Sequence, residues 1–206
     1  AGVATTNDGD NDIIIRGNSP KYVQWRLEGV EITNPTHFGD QNGVRGGISA
    51  LNNNLLATSD FYTGAFSAEF GDVLSGVYDV KLRAGNNEKR EMTFGFGLLG
   101  TDVTLEGPFK KGYGGSYLVN YRYSTISLIS DLGLLKIDGL LNFQDAAFKV
   151  VLPTKKAGMF SFFGLGGFSS FSLADIKRST FDTPGDNPSS ATIREDYDKG
   201  NHLLNI

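Results

Sequence analysis

Glu91-Met92-Thr93-Phe94-Gly95-Phe96-Gly97-Leu98-Leu99-Gly100-Thr101-Asp102-Val103-Thr104-Leu105-Glu106 is the stretch whose reading decides the fold. Phe94, Phe96 and Leu98 fall on one side of a two-residue period, with Thr93, Gly95 and Gly97 on the other. That period belongs to a β-strand, whose successive side chains point to opposite faces. The apolar phase then slips by one position, so that Val103 and Leu105 lie opposite Asp102, Thr104 and Glu106. A tight hairpin around Leu98-Leu99-Gly100 accounts for the slip, with a bulge as the lesser alternative.

The same alternation continues downstream. Tyr117, Val119, Tyr121 and Tyr123 alternate with Ser116, Asn120 and Arg122, and Leu118 breaks the pattern. Ala146, Phe148, Val150 and Leu152 stand opposite Asp145 and Lys149, and Phe160, Phe162 and Phe168 opposite Ser161, Gly167 and Ser169. The runs predict strands of about nine residues, near the length that crosses a bilayer when tilted. Their connections alternate between short (108–115, 153–158) and long (125–143, 172–200). Outer-membrane barrels alternate in this way, with tight periplasmic turns and extended outer loops. In the long segment 125–143, Leu128, Ile129, Leu132 and Leu135 have near-helical spacing, which fits either a short helix over the mouth of the lumen or a loop burying its own side chains.

Upstream of Gly85-Asn86-Asn87-Glu88-Lys89-Arg90 the texture differs. Short β-like runs at 13–15, 22–27 and 77–82 alternate with turns rich in Gly, Asn and Asp, and 52–57 reads as one helical turn. The chain therefore divides into a small mixed α/β domain over 1–85 and a strand-rich domain over 86–206. Five strands and the start of a sixth cannot close a bacterial barrel, which needs at least about eight. The expected fold is mainly β, with the barrel incomplete.

Composition agrees with a β-rich chain: 27 Gly, 15 Phe and 8 Tyr among 206 residues, with 20% charged. No run approaches the length of an apolar membrane helix. A mean hydropathy of -0.20 is compatible with a barrel, because half of each strand faces a polar lumen. A net charge of -4, with no Lys/Arg cluster longer than two, points away from nucleic acid. The absence of Cys removes disulfides and thiol chemistry. Ala1-Gly2-Val3-Ala4 lacks the regions of a signal peptide, so any export signal is expected upstream.

Several segments also resemble a known family. Asp12-Ile13-Ile14-Ile15-Arg16-Gly17 resembles the plug motif ending Ile-Arg-Gly of TonB-dependent outer-membrane receptors. Arg26-Leu27-Glu28-Gly29-Val30-Glu31-Ile32 is similar to the plug strand Ile-Asp-Gly-Val-Pro-Ile, and Glu69-Phe70-Gly71 with Ser75-Gly76-Val77-Tyr78-Asp79-Val80 resembles its closing segments. Gly97-Leu98-Leu99-Gly100-Thr101, Glu106-Gly107-Pro108-Phe109, Asn120-Tyr121-Arg122-Tyr123-Ser124 and Leu152-Pro153-Thr154-Lys155-Lys156 resemble the barrel start of the Bacteroidetes, carboxypeptidase-regulatory-like subfamily. The resemblance implies a plug seated in a barrel of roughly 22 strands in the outer membrane. It further implies uptake of an extracellular ligand, with a partner lipoprotein as a possible companion, powered through TonB by a segment upstream of this chain. Thr63-Gly64-Ala65 stands where many members have Arg-Gly-Pro, which removes one plug cation. A soluble β-rich binding module, or a receptor-derived barrel serving as a docking scaffold, are the alternatives.

The resemblance makes 33–47 the outward-pointing plug loop, with Asn34, His37, Phe38, Asp40, Gln41, Asn42 and Arg45 as candidate ligand contacts. Arg16 and Arg83 are the candidate anchors between plug and wall, each through a carboxylate partner. Asp8, Asp10 and Asp12 alternate like the opening of a calcium loop but lack the closing Glu, so no metal or cofactor is expected. Gly95-Phe96-Gly97-Leu98-Leu99-Gly100 matches a dinucleotide fingerprint literally, yet a β-branched alternating run follows where a helix is needed. His37 and His202 have no triad-like surroundings, and no enzyme is expected.

Overall fold

The structure, a computed structural model, describes residues 2–5, 13–33, 35–38, 47–134, 140–172 and 202–204. It is mainly β. The first part holds β1 (Val3–Ala4), β2 (Ile14–Ile15), β3 (Val23–Leu27), β4 (Val30–Ile32), β5 (Thr36–His37), β6 (Ile48–Ser49), β7 (Asp60–Tyr62) and β8 (Gly76–Val80). Four of these form a sheet in the order β4-β3-β8-β7, with β3 and β8 parallel. β1 pairs with β2 and β5 with β6. Two 3₁₀ turns, Pro20–Tyr22 and Asn53–Leu55, complete this part, and the second is capped by the Asn52 side chain, which accepts from Asn54 N at 2.9 Å.

The second part is an antiparallel meander in which every strand pairs with its chain neighbour. Its strands are β9 (Glu91–Phe96), β10 (Gly100–Pro108), β11 (Ser116–Ser124), β12 (Leu140–Pro153), β13 (Met159–Ser172) and β14 (His202–Leu204). The phase slip is a hairpin: β9 ends at Phe96 and β10 starts at Gly100, with Gly97 N donating to Gly100 O at 3.0 Å. β10 and β11 have the expected nine residues, whereas β12 and β13 have 14 each. The sheet is not closed. Among the described residues no helix is long and apolar enough to cross a membrane, which leaves strand crossings open.

After β11 comes α1 (Thr125–Asp131). Ser124 caps its start, and Gly133 (φ 70°) ends it by allowing Gly133 N to bond Ser130 O and Leu134 N to bond Ile129 O. Thr125 ties the helix to the β9–β10 hairpin by donating its hydroxyl to Gly97 O at 2.7 Å.

The core lies between the two parts. Leu27, Leu51, Leu55, Val80 and Leu82 of the first part pack with Leu118, Ala147 and Leu165 of the meander. This explains the break at Leu118, which is fully buried on the otherwise polar face because that face meets the first part. The opposite face carries Met92, Phe94, Phe96, Leu105, Val119, Tyr121, Phe148, Phe160, Phe162 and Phe168, all exposed. The meander thus turns polar groups inward and apolar groups outward.

Gly85, where the chain leaves the first part, passes against the backbone of β11: a Cβ there would stand 2.1 Å from Tyr117 O. Backbone cannot yield as a side-chain tip can. Gly85→Ala is expected to cost about 1–3 kcal/mol in urea unfolding. Gly71→Ala, at a position with open space, is expected to stay within about 0.5 kcal/mol.

Candidate functional site

Three polar ties cross the seam between the first part and the inner face of the meander. In the first, Arg83 grips Glu106 with both terminal nitrogens, each at 2.7 Å, while its Nε donates to Asn54 O at 2.7 Å. Asn86 N adds a third donor to Glu106 at 2.8 Å. A fork of this kind matches the planar carboxylate and holds it in one orientation. The hydrogen bond to Glu106 raises the Arg83 guanidinium above its ordinary value, against the opposing effect of burial, so it stays charged throughout the working pH range.

The second tie is Lys149 on β12, which donates to Glu28 Oε1 at 2.8 Å and Leu82 O at 2.6 Å. Glu28 Oε1 also accepts from Leu82 N at 2.6 Å. Glu28 and Gly29 form the two-residue turn between β3 and β4, with φ of 54° and 86°. Positive φ at both positions is the type I′ turn that matches strand twist. Gly accepts this conformation freely, but Glu does so at a cost. Its carboxylate is held by the contacts just described.

The third tie uses a row running straight across the meander: Gly95, Asp102, Arg122, Asp145 and Gly167 are successive cross-strand partners. Arg122 donates from Nε and Nη2 to Asp145 at 2.9 and 2.6 Å and also reaches Ser49 O in β6. His37 Nε2 donates to the same Asp145 oxygen at 3.0 Å. Its ring lies over Gly167, where a Cβ would stand 2.9 Å from Cε1, and tilts against Phe143 with centroids 5.0 Å apart. His37 Nδ1 is buried with no hydrogen-bond partner among the described residues.

Of the residues singled out from the sequence, Arg83 bridges the two parts. Arg16, in a left-handed turn (φ 51°), lays its guanidinium against Gly64, where a Cβ would be 3.2 Å from both terminal nitrogens. It makes no ion pair among the described residues. His37 is fully buried and engaged by Asp145. Phe38 (φ 60°) meets Phe143 edge-on at 6.5 Å. Asn34, Asp40, Gln41, Asn42 and Arg45 lie outside the described residues, as do Asp8, Asp10 and Asp12. Gly95 to Gly100 forms a strand end and hairpin, not a strand-to-helix turn. Among the described residues no group of three or more metal-ligating side chains converges. Glu106, Arg122, Asp145 and Lys149 were legible in the sequence only as the polar half of an alternation, and Glu28 only as part of the segment Arg26 to Ile32; their roles as ties across the seam were not.

A groove of about 300 Å³ opens beside the third tie, between residues 47–53 and the meander. Ser49, Asn52, Asn53, Asp102, Arg122 and Phe143 are among its walls. No protein-family model matches the chain, and no curated protein or solved structure shows significant similarity to it.

Replacing Glu106 by Gln removes the charge Arg83 grips. The expected loss is about 1–2 kcal/mol by urea unfolding, below that of a fully buried pair because the Arg83 side chain is 35% exposed. A double-mutant cycle on Glu28→Gln and Lys149→Met is expected to show a coupling of about 1–3 kcal/mol, since both side chains are largely buried at the seam.

Proposed function

We propose that this chain is the plug and the first wall strands of a TonB-dependent outer-membrane receptor that takes up an extracellular ligand. The observation that carries the reading is the inversion of the meander. A soluble sheet with one covered face hides its apolar side chains and wets its polar ones. Here the covered face carries Thr104, Glu106, Asn120, Arg122, Asp145 and Lys149, while ten large apolar side chains stand exposed on the other. An apolar exterior around a polar interior is what a bilayer requires of a barrel wall. Soluble monomers rarely expose so large an apolar patch.

The polar seam supports the same reading, because a plug that must shift during transport is better seated by ion pairs than by a continuous apolar interface. The plug-like motifs supply the position of each part: Ile-Arg-Gly at Arg16, the Glu28-Gly29 turn, and the passage into the wall at Gly85. On this reading the native polypeptide sits in the outer membrane, with lipid around the wall. TonB engages a segment ahead of this chain, and ligand approaches from the side of α1. The role is binding and transport, with no catalysis.

A second reading, a soluble β-rich binding module, is favoured by the open sheet, whose edges at β9 and β14 have no partner strand among the described residues. Fractionation of the native full-length polypeptide separates the two. A heat-modifiable species in the outer-membrane fraction, seen by comparing boiled and unboiled gel mobility, supports the receptor; a soluble species with unchanged mobility overturns it. Substitution at the middle of the exposed face gives an independent answer. Val119→Arg is expected to destabilise a lipid-embedded wall by about 2–4 kcal/mol. In a soluble module the same change would stay within about 0.5 kcal/mol.

A further inference from the structure

Among the described residues, the cross-strand row contains one charge without an ion-pair partner. Asp145 is met by Arg122 and His37, and lower on the same face Glu106 is met by Arg83 and Lys149 reaches Glu28. Asp102 has no ion pair among the described residues and accepts a single hydrogen bond, from Asn120 Nδ2 at 3.2 Å. Arg122 is its direct cross-strand neighbour but turns the other way, to Asp145 and Ser49 O. Two carboxylates of the row therefore face one guanidinium, and the excess negative charge sits at Asp102.

The local backbone makes room for that carboxylate. Its Oδ1 lies across Gly95, where a Cβ would come within 2.2 Å. Any other residue at position 95 would push the carboxylate aside. Asp102 also forms part of the wall of the groove described above, together with Asn52 and Asn53. A space of about 300 Å³ holds on the order of ten waters, or an organic molecule of similar heavy-atom count.

We propose that this groove binds a small organic cation, a primary amine or guanidinium, with Asp102 as its counter-ion. A carboxylate in a partly enclosed groove attracts a cation more strongly than it would in bulk water. Arg122 also lines the groove, but its guanidinium is taken up by Asp145 and Ser49 O, so the carboxylate of Asp102 is the charge that the groove leaves uncompensated among the described residues. A hard divalent metal requires several oxygen ligands, and Asp102 is not part of any converging group of metal-ligating side chains among the described residues. The groove is built by residues of this chain alone, so the inference goes beyond the receptor reading and does not depend on closure of the meander.

The test is calorimetric titration of the purified full-length protein with agmatine, which carries both cationic groups, at low ionic strength, with n-pentanol as the uncharged control. Agmatine is expected to bind saturably and pentanol not to bind. Asp102→Asn is expected to weaken agmatine at least tenfold. Thermal unfolding of the same variant gives a second readout: removing an unpaired carboxylate should leave Tm unchanged or raise it. Absence of agmatine binding, or binding that Asp102→Asn leaves intact, overturns the proposal. A lowered Tm for Asp102→Asn without agmatine binding also overturns it, by showing that a cation of the chain itself holds the carboxylate.

Discussion

A β-strand has only two faces, and in this chain both are committed. One face of the meander must meet the first part of the molecule, and the period of two then sends every alternate residue the opposite way. Shifting the whole meander by one residue would carry Glu106, Arg122, Asp145 and Lys149 to the exposed side and press Phe94, Tyr121 and Phe148 against the first part. All three polar ties would be lost together. The hairpin at Gly97 to Leu99 is therefore more than a connection: it resets the alternation so that β9 and β10 present their polar residues to the same side.

The seam combines a modest apolar centre with polar ties around it. Leu118, Ala147 and Leu165 supply the burial, whereas position and orientation come from Arg83, Lys149, Arg122 and His37. Burying ion pairs is costly, and their net contribution to stability is often small. Their geometry is demanding, however. The Arg83–Glu106 fork accepts only one orientation, and Glu28 adopts a left-handed backbone in the same place that its carboxylate meets Lys149. The seam is thus better at specifying one docked arrangement than at strengthening it.

Much of the meander could be read from the sequence because alternation is local. The runs at 91–98, 116–124, 146–152 and 160–169, and the slip between β9 and β10, needed only neighbouring residues. Leu118 appeared as an irregularity, and its cause became visible only when the first part was seen to lie on it. The pairing of charges was not legible. Asp145 lies 23 residues from Arg122 and 108 from His37, so their meeting depends on register across a long connection and on the docking of β5. His37 looked like an open loop residue because its neighbours are polar and Gly-rich, yet Gly167, a residue with no side chain, makes the space that buries it. Arg83 was readable as a cation near a boundary, but its partner had to be found in three dimensions.

The distances along the chain also set an order of events. The β9–β10, β10–β11 and β12–β13 pairs are joined by connections of three to seven residues, so these contacts close short loops and form early. The Glu28–Lys149 tie joins residues 121 positions apart and can form only after β12 has been made and aligned. The first part is therefore met by a sheet that is completed after it. A chain built in this sequence receives its inner piece as an already emerged segment, and the last event of folding is the locking of that piece against a finished surface.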